Sequence, residues 1–168
     1  MEFLEEAIAE LSATPHRVED AIRGLTEEQL SWKPTEFFSI RENVHHLRDI
    51  DVLGYEKRLR LMLTEDYPVL ADIDGAGLAV ERSYNTQPVA KALEDLKRSR
   101  ALSMQRLKGT SVLDLSRRAE MQGLGAIDVK RLVELWLEHD RGHVADLMEL
   151  RRSLETGQGP ALAPHQAA

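Results

Sequence analysis

Between Leu132 and Leu150 the core-type residues recur every three or four positions, the repeat of an α-helix that buries one face. The stripe runs Leu132, Trp136, His139, His143, Leu147, Leu150, so two of its inward positions are imidazoles. A neutral imidazole has one donor and one acceptor nitrogen, and each group left unsatisfied in a dry core costs about 1–3 kcal/mol. A fold that buries this stripe must therefore supply the pair with hydrogen-bond partners or a cation.

Three other stretches carry the same period. Phe3, Leu4, Ala7, Ile8, Leu11, Val18, Ile22 and Leu25 predict a first helix from Glu2 to Arg23, with Pro15 as a kink point and Gly24 as its stop. Thr26 with Gln29 predicts a capped helical turn that breaks before Pro34. Ser39 with Glu42 forms a capping box that opens a second long helix, extending to Leu63. Residues 64–87 mix Pro, Gly, Asp and Asn without a sustained period and read as a long connection, of the kind that shapes or covers something. Thr86 is the cap expected for a third helix that ends at Gly109, with Val89, Leu93, Leu96, Leu102 and Leu107 as its buried face. Residues 110–126 read as a second irregular connection, and strand signals are weak throughout. The fourth helix runs from Asp128 to Leu154. The expected fold is all-α: a four-helix bundle over residues 1–155, with a long connection between helices 2 and 3 and a mobile tail at 156–168.

A chain of 168 residues can bury a core as a single domain. Its net charge of −7 argues against nucleic acid and anionic membrane as partners. With no cysteine, a disulfide framework, a thiolate metal site and a cysteine nucleophile are all excluded, so a metal site must draw on His, Asp or Glu. The acidic start does not resemble a signal peptide, and no apolar run approaches the ~20 residues that span a bilayer, so the expected location is the cytoplasm.

Residues at i and i+4 on a helix project together, so His139 and His143 can converge on one ion. Alone, that spacing suits a hydrogen-bonded core pair equally well. A third ligand is available in the second helix, where His45 and His46 point about 100° apart. Ile50 and Leu53 put His46 on an apolar side, whereas His45 lies on a more polar edge and is expected at the rim. Three histidines leave a coordination position open, as in catalytic rather than structural zinc sites.

The segments LSWKP, SIRENVHHLRDID and EHDRGHVADL, in that order, resemble the DinB/YfiT-like superfamily of small metalloenzymes. The resemblance covers nearly all of the chain to Leu154. It implies a four-helix bundle with a divalent metal held by one histidine of the second helix and two of the last, and all-nitrogen ligation makes Zn or Ni the expected ion. Here Ser39, Glu42, His46 and Leu47 match the first pattern, and His139 and His143 the second, which also selects His46 over His45. It further implies a small-molecule substrate and a homodimer. Thiol-dependent S-transferases and an isomerase that needs a low-molecular-weight thiol belong to the superfamily, so such a thiol is an expected cofactor.

The leading expectation is a metal-dependent enzyme, with S-transfer to small electrophiles as its reaction. A hydrolase working without thiol, and a non-catalytic bundle that binds a metal or partner, are the alternatives. Asn43, one turn before His46, suits either contact with substrate or a metal-bound water, or an ordinary polar interface. Asp49, Asp140 and Asp146 can orient imidazoles but are expected to be mainly solvated charges, and Glu42 is assigned to its cap. Trp32 and Trp136 are expected in the core, with Trp136 able to wall a pocket. Tyr55 and Tyr84 carry hydroxyls that could serve as acid or base. His16 and His165 lack partners at ligand spacing, and the alternating charges of EDLKRSRALSMQR read as a solvated helix face.

Overall fold

In the computed structural model, which describes residues 2–34 and 37–158, four long helical units form the bundle. Helix α1 is Glu2–Ile22 and passes through Pro15 without ending. The short α2, Glu27–Ser31, starts on the Thr26/Gln29 capping box. The second long unit is continuous but composite: α3 is Ile40–Asp49, a π-helical stretch covers Ile50–Glu56, and α4 is Lys57–Thr64. The Ser39/Glu42 box opens it, and Glu42 also pairs with Lys33.

After strand β1, Val69–Leu70, the chain makes α5, Gly75–Glu81, and α6, Val89–Lys108. Strands β2, Arg118–Met121, and β3, Gly125–Asp128, precede α7, Val129–Thr156, which stops at Gly157 in left-handed conformation. Helix α1 packs on α6 and α7, and α3 packs on the same two. The first and second long helices therefore face each other across one diagonal of the bundle, and the third and fourth across the other.

Several expectations need correction. A three-stranded sheet is present, with β1 parallel to β2 and β2 antiparallel to β3. Its strands are two to four residues long, too short for an alternating pattern to stand out. Mechanically it ties together the two connections read as irregular. Thr86 does not cap α6; it ends a 3-10 turn, and Pro88 occupies the cap position. Leu102 faces out, while Arg100 and Ser103 take the buried positions between Leu96 and Leu107. Trp32 is 40 % exposed rather than core. The last helix continues to Thr156, and most of the expected tail, 159–168 with His165, lies outside the described residues.

The π stretch explains why Leu53 is not inward. Each π turn holds about one residue more than an α turn, which rotates everything after it. Gly54, Tyr55, Arg58, Leu59 and Met62 are therefore buried, while Leu53 is displaced outward.

The apolar core is not continuous. Of its two larger clusters, one gathers Leu4, Leu11, Tyr55, Leu59, Leu132 and Trp136 and the other Val18, Ile40, Val44, Leu96, Leu147 and Leu150. Between them, every long helix contributes buried polar residues: Thr14, His46 with Asp51, Arg100 with Ser103, and Asp140 with His143.

Candidate metal centre

The three histidines selected from sequence meet in this polar layer. Their ligand nitrogens all lie within 4.8 Å of one another. His46 Nε2 stands 3.2 Å from His139 Nε2. Two nitrogens bound tetrahedrally at about 2.0–2.1 Å from one ion are ~3.3 Å apart, so the observed separation would let both bind one cation and equally suits a hydrogen bond between the two rings. Three imidazoles suit borderline divalent ions.

The surrounding residues prepare the rings for this role. Asn43 donates from Nδ2 to the Ser39 carbonyl at 3.0 Å, which turns its Oδ1 toward His143 Nδ1 at 2.8 Å. Since Oδ1 only accepts, Nδ1 must carry the proton, and the His143 Nε2 lone pair is left for the centre. Buried at this ring, Asn43 contacts an imidazole of the triad instead of the substrate or metal-bound water expected of it. An Asn43→Ala change is expected to weaken zinc binding about 10–100-fold with the fold retained, as read by calorimetric titration beside a circular dichroism melt.

His139 Nδ1 lies 3.5 Å from Asp140 Oδ1. Asp140 is buried and bound by Arg100 Nη1 at 2.6 Å, and Arg100 also donates from Nε to Asp51 at 2.9 Å. Burial alone would raise the pKa of Asp140, but the Arg100 cation and the His139 contact outweigh it and hold the group at about 2. For Asp51 burial prevails and raises the pKa, with Arg100 opposing. Arg100 additionally donates to the Leu11 carbonyl at 2.7 Å and lies over the Trp136 ring. Arg100, in the stretch expected to be a solvated helix face, is instead buried, and nothing in the sequence pattern singled out Asp51.

Other expectations fare differently. His45 is buried rather than at the rim: its Nε2 contacts the Gln87 carbonyl at 3.3 Å and its ring stacks on Tyr84. Burial lowers its pKa, with the Gln87 bond opposing, and the residue points away from the triad into a different set of contacts. Asp49 and Asp146 are also buried, and Asp49 is engaged by Tyr84 and Arg82 instead of a triad imidazole. Tyr55 donates to the Leu135 carbonyl at 3.1 Å, and burial raises its pKa, as does the Asp140 charge. It is poorly suited to give up a proton near neutral pH. His16 stays on the surface beside Glu19.

His46 and His143 are sealed, and access comes through His139, whose side chain is 13 % exposed. His139 opens on a cleft of about 310 Å³ walled by Ile50, Tyr55, Arg58, Ile73, Met121 and Leu135. Ile73 comes from the 64–87 connection and Met121 from β2, so both connections help cover the site.

The sequence model of the DinB superfamily matches residues 10–147. The chain belongs to the DinB superfamily. A relative from Bacillus licheniformis, named a "Putative metal-dependent hydrolase", is 28 % identical over 156 residues, covering 90 % of this chain and 86 % of the relative. A Geobacillus thermodenitrificans protein with the same description is 26 % identical over 162 residues, covering 90 % and 85 %. Among solved structures, YfiT from Bacillus subtilis aligns with a TM-score of 0.84 at 22 % identity, covering 93 % of this chain and 89 % of YfiT. YfiT is described as "a probable metal-dependent hydrolase with an unusual four-helix bundle topology", and at this identity the match establishes the shared fold. In this DinB bundle no helix among the described residues is long and apolar enough to cross a membrane.

Proposed function

We propose that the protein is a divalent-metal-dependent hydrolase of small molecules in which His46, His139 and His143 hold the ion. One observation carries the reading: three ring nitrogens converge within 4.8 Å at the inner end of a cleft that only His139 opens. The names of the relatives support hydrolysis as the reaction class. When bound, a zinc or nickel ion supplies Lewis acidity, polarising a carbonyl or acidifying water.

The chain's own residues do the rest. Asn43 fixes the His143 tautomer, Asp140 places a carboxylate beside His139 Nδ1, and Ile50, Ile73 and Leu135 give the cleft an apolar side against which a small substrate can lie. Thiol-dependent S-transfer is the finer reading of the same centre that the superfamily resemblance suggests. With no cysteine in the chain, its nucleophile would be a low-molecular-weight thiol.

The test is turnover of a panel of small esters and amides by protein loaded with Zn²⁺ or Ni²⁺, with and without added thiol. Hydrolysis without thiol, lost on chelation and restored by metal, is the expected result. Turnover only when a thiol and an electrophile are both present would replace hydrolysis by S-transfer. A melting temperature that responds to chelator, with no turnover under any condition, would leave a metal-binding bundle without catalysis.

A further inference from the structure

Arg58 is a buried cation on the wall of the cleft, and neither the fold nor the three histidines accounts for its charge. Its side chain is 8 % exposed, and it lines the same cavity as His139. Arg58 Nη2 donates to the Ala71 carbonyl at 2.7 Å. The nearest carboxylate, Asp72 Oδ1, is 4.0 Å away on a side chain that is 73 % exposed, so water weakens its compensation. Arg58 Nε has no hydrogen-bond partner among the described residues. Burial pulls the pKa of this guanidinium down, with Tyr55 and Asp72 only partly opposing. An arginine needed solely to pin the connection could be satisfied by carbonyls and kept close to its counter-ion. This one leaves charge to spare on a cleft that also carries Asp72 and Gln122 but is walled mainly by apolar side chains.

The backbone is built to leave it there. The π stretch rotates Tyr55 and Arg58 onto the cleft side of the helix. A Cβ at position 54 would lie 3.2 Å from Ile73 Cδ1 and 3.7 Å from Arg58 Nη1, so Gly54 provides the room in which the guanidinium and the connection meet.

We infer that Arg58 is the specificity determinant of the cleft, and that the substrates are small, apolar-bodied molecules carrying a carboxylate that pairs with it. Ile50, Ile73 and Leu135 take the apolar body, and the volume of about 310 Å³ lies at the small end of ligand sites. The carboxylate is an anchor and not the reacting group. The proposal rests on the hydrolase reading only for where the scissile bond lies, against the histidines.

The experiment compares phenylacetate with the neutral phenylacetamide, using the full chain loaded with zinc and again after chelation. Calorimetry is run at pH 8 on wild type, Arg58→Gln and Arg58→Lys, with zinc uptake measured on each preparation. Wild type is expected to bind phenylacetate at least about tenfold tighter than the amide. Arg58→Gln should lose most of that preference and Arg58→Lys keep most of it, while zinc uptake stays the same in all three. In wild type, the Arg58 Nε–H resonance should move on addition of phenylacetate and stay still with the amide. An equal preference in wild type and Arg58→Gln, or a resonance that ignores phenylacetate, would overturn the proposal. The resonance decides the matter should the glutamine variant not fold. Zinc uptake that fails in wild type would sink the hydrolase reading while leaving the Arg58 preference to be judged by itself.

Discussion

Arg100→Met is expected to lower stability by about 3–5 kcal/mol, the usual cost of removing one partner from a buried ion set. For a domain of this size that is a drop of roughly 10 °C or more in melting temperature. Methionine fills most of the space, so the loss is electrostatic. Asp51 and Asp140 are 1 % and 4 % exposed, and without the guanidinium between them two carboxylates face a dry core with no cation. The Leu11 carbonyl loses its donor as well. The triple variant Arg100→Met, Asp51→Leu, Asp140→Leu should recover most of that stability, because replacing a whole buried ion set by apolar side chains is often neutral or better. It should not recover metal affinity, since Asp140 is the carboxylate beside His139 Nδ1. Guanidinium melts and zinc titrations on the two variants separate the roles. A single variant as stable as wild type would mean that the layer is already solvated.

Much of this was legible beforehand because helical spacing translates directly into position. The capping boxes at Thr26 and Ser39 form as read, and the His139/His143 stripe faces inward. What escaped had physical reasons. Arg100 stands four residues after Leu96 and seven before Leu107, inside the buried stripe, and only its charge made it look like surface. Spacing taken on its own would have found it; composition hid it. Asp51, Tyr55 and Arg58 depend on the π stretch, which shifts the helical phase and carries no residue signature, so inward positions counted on from His46 fall one residue short beyond Ile50. His45 and Asp49 look solvated on a helical wheel, but the wheel knows nothing of Tyr84, which packs on one and bonds the other.

The polar layer that divides the core costs the bundle apolar contact along all four long helices. A chain built for stability alone would close that layer with leucine; an ion held by the histidines, as proposed, would account for the layer. His143→Ala should therefore lower zinc affinity by at least about 100-fold, beyond the range for losing an orienting partner. Its effect on the metal-free fold is expected to be small, about 1–3 kcal/mol, from the unpaired Asn43 oxygen and the space left behind. The two readouts diverge through linkage. Metal at about 1,000 times its dissociation constant stabilises the native state by about 4 kcal/mol, so wild type should melt roughly 10 °C higher with zinc, and His143→Ala should show almost no shift. His45→Ala is the matched control: equally buried and one residue from His46, but facing Tyr84 and Gln87, it should destabilise the fold yet keep the zinc-induced rise in full. Should His45→Ala lose that rise as completely as His143→Ala, the response would reflect general loosening of the helices and not coordination by His46, His139 and His143.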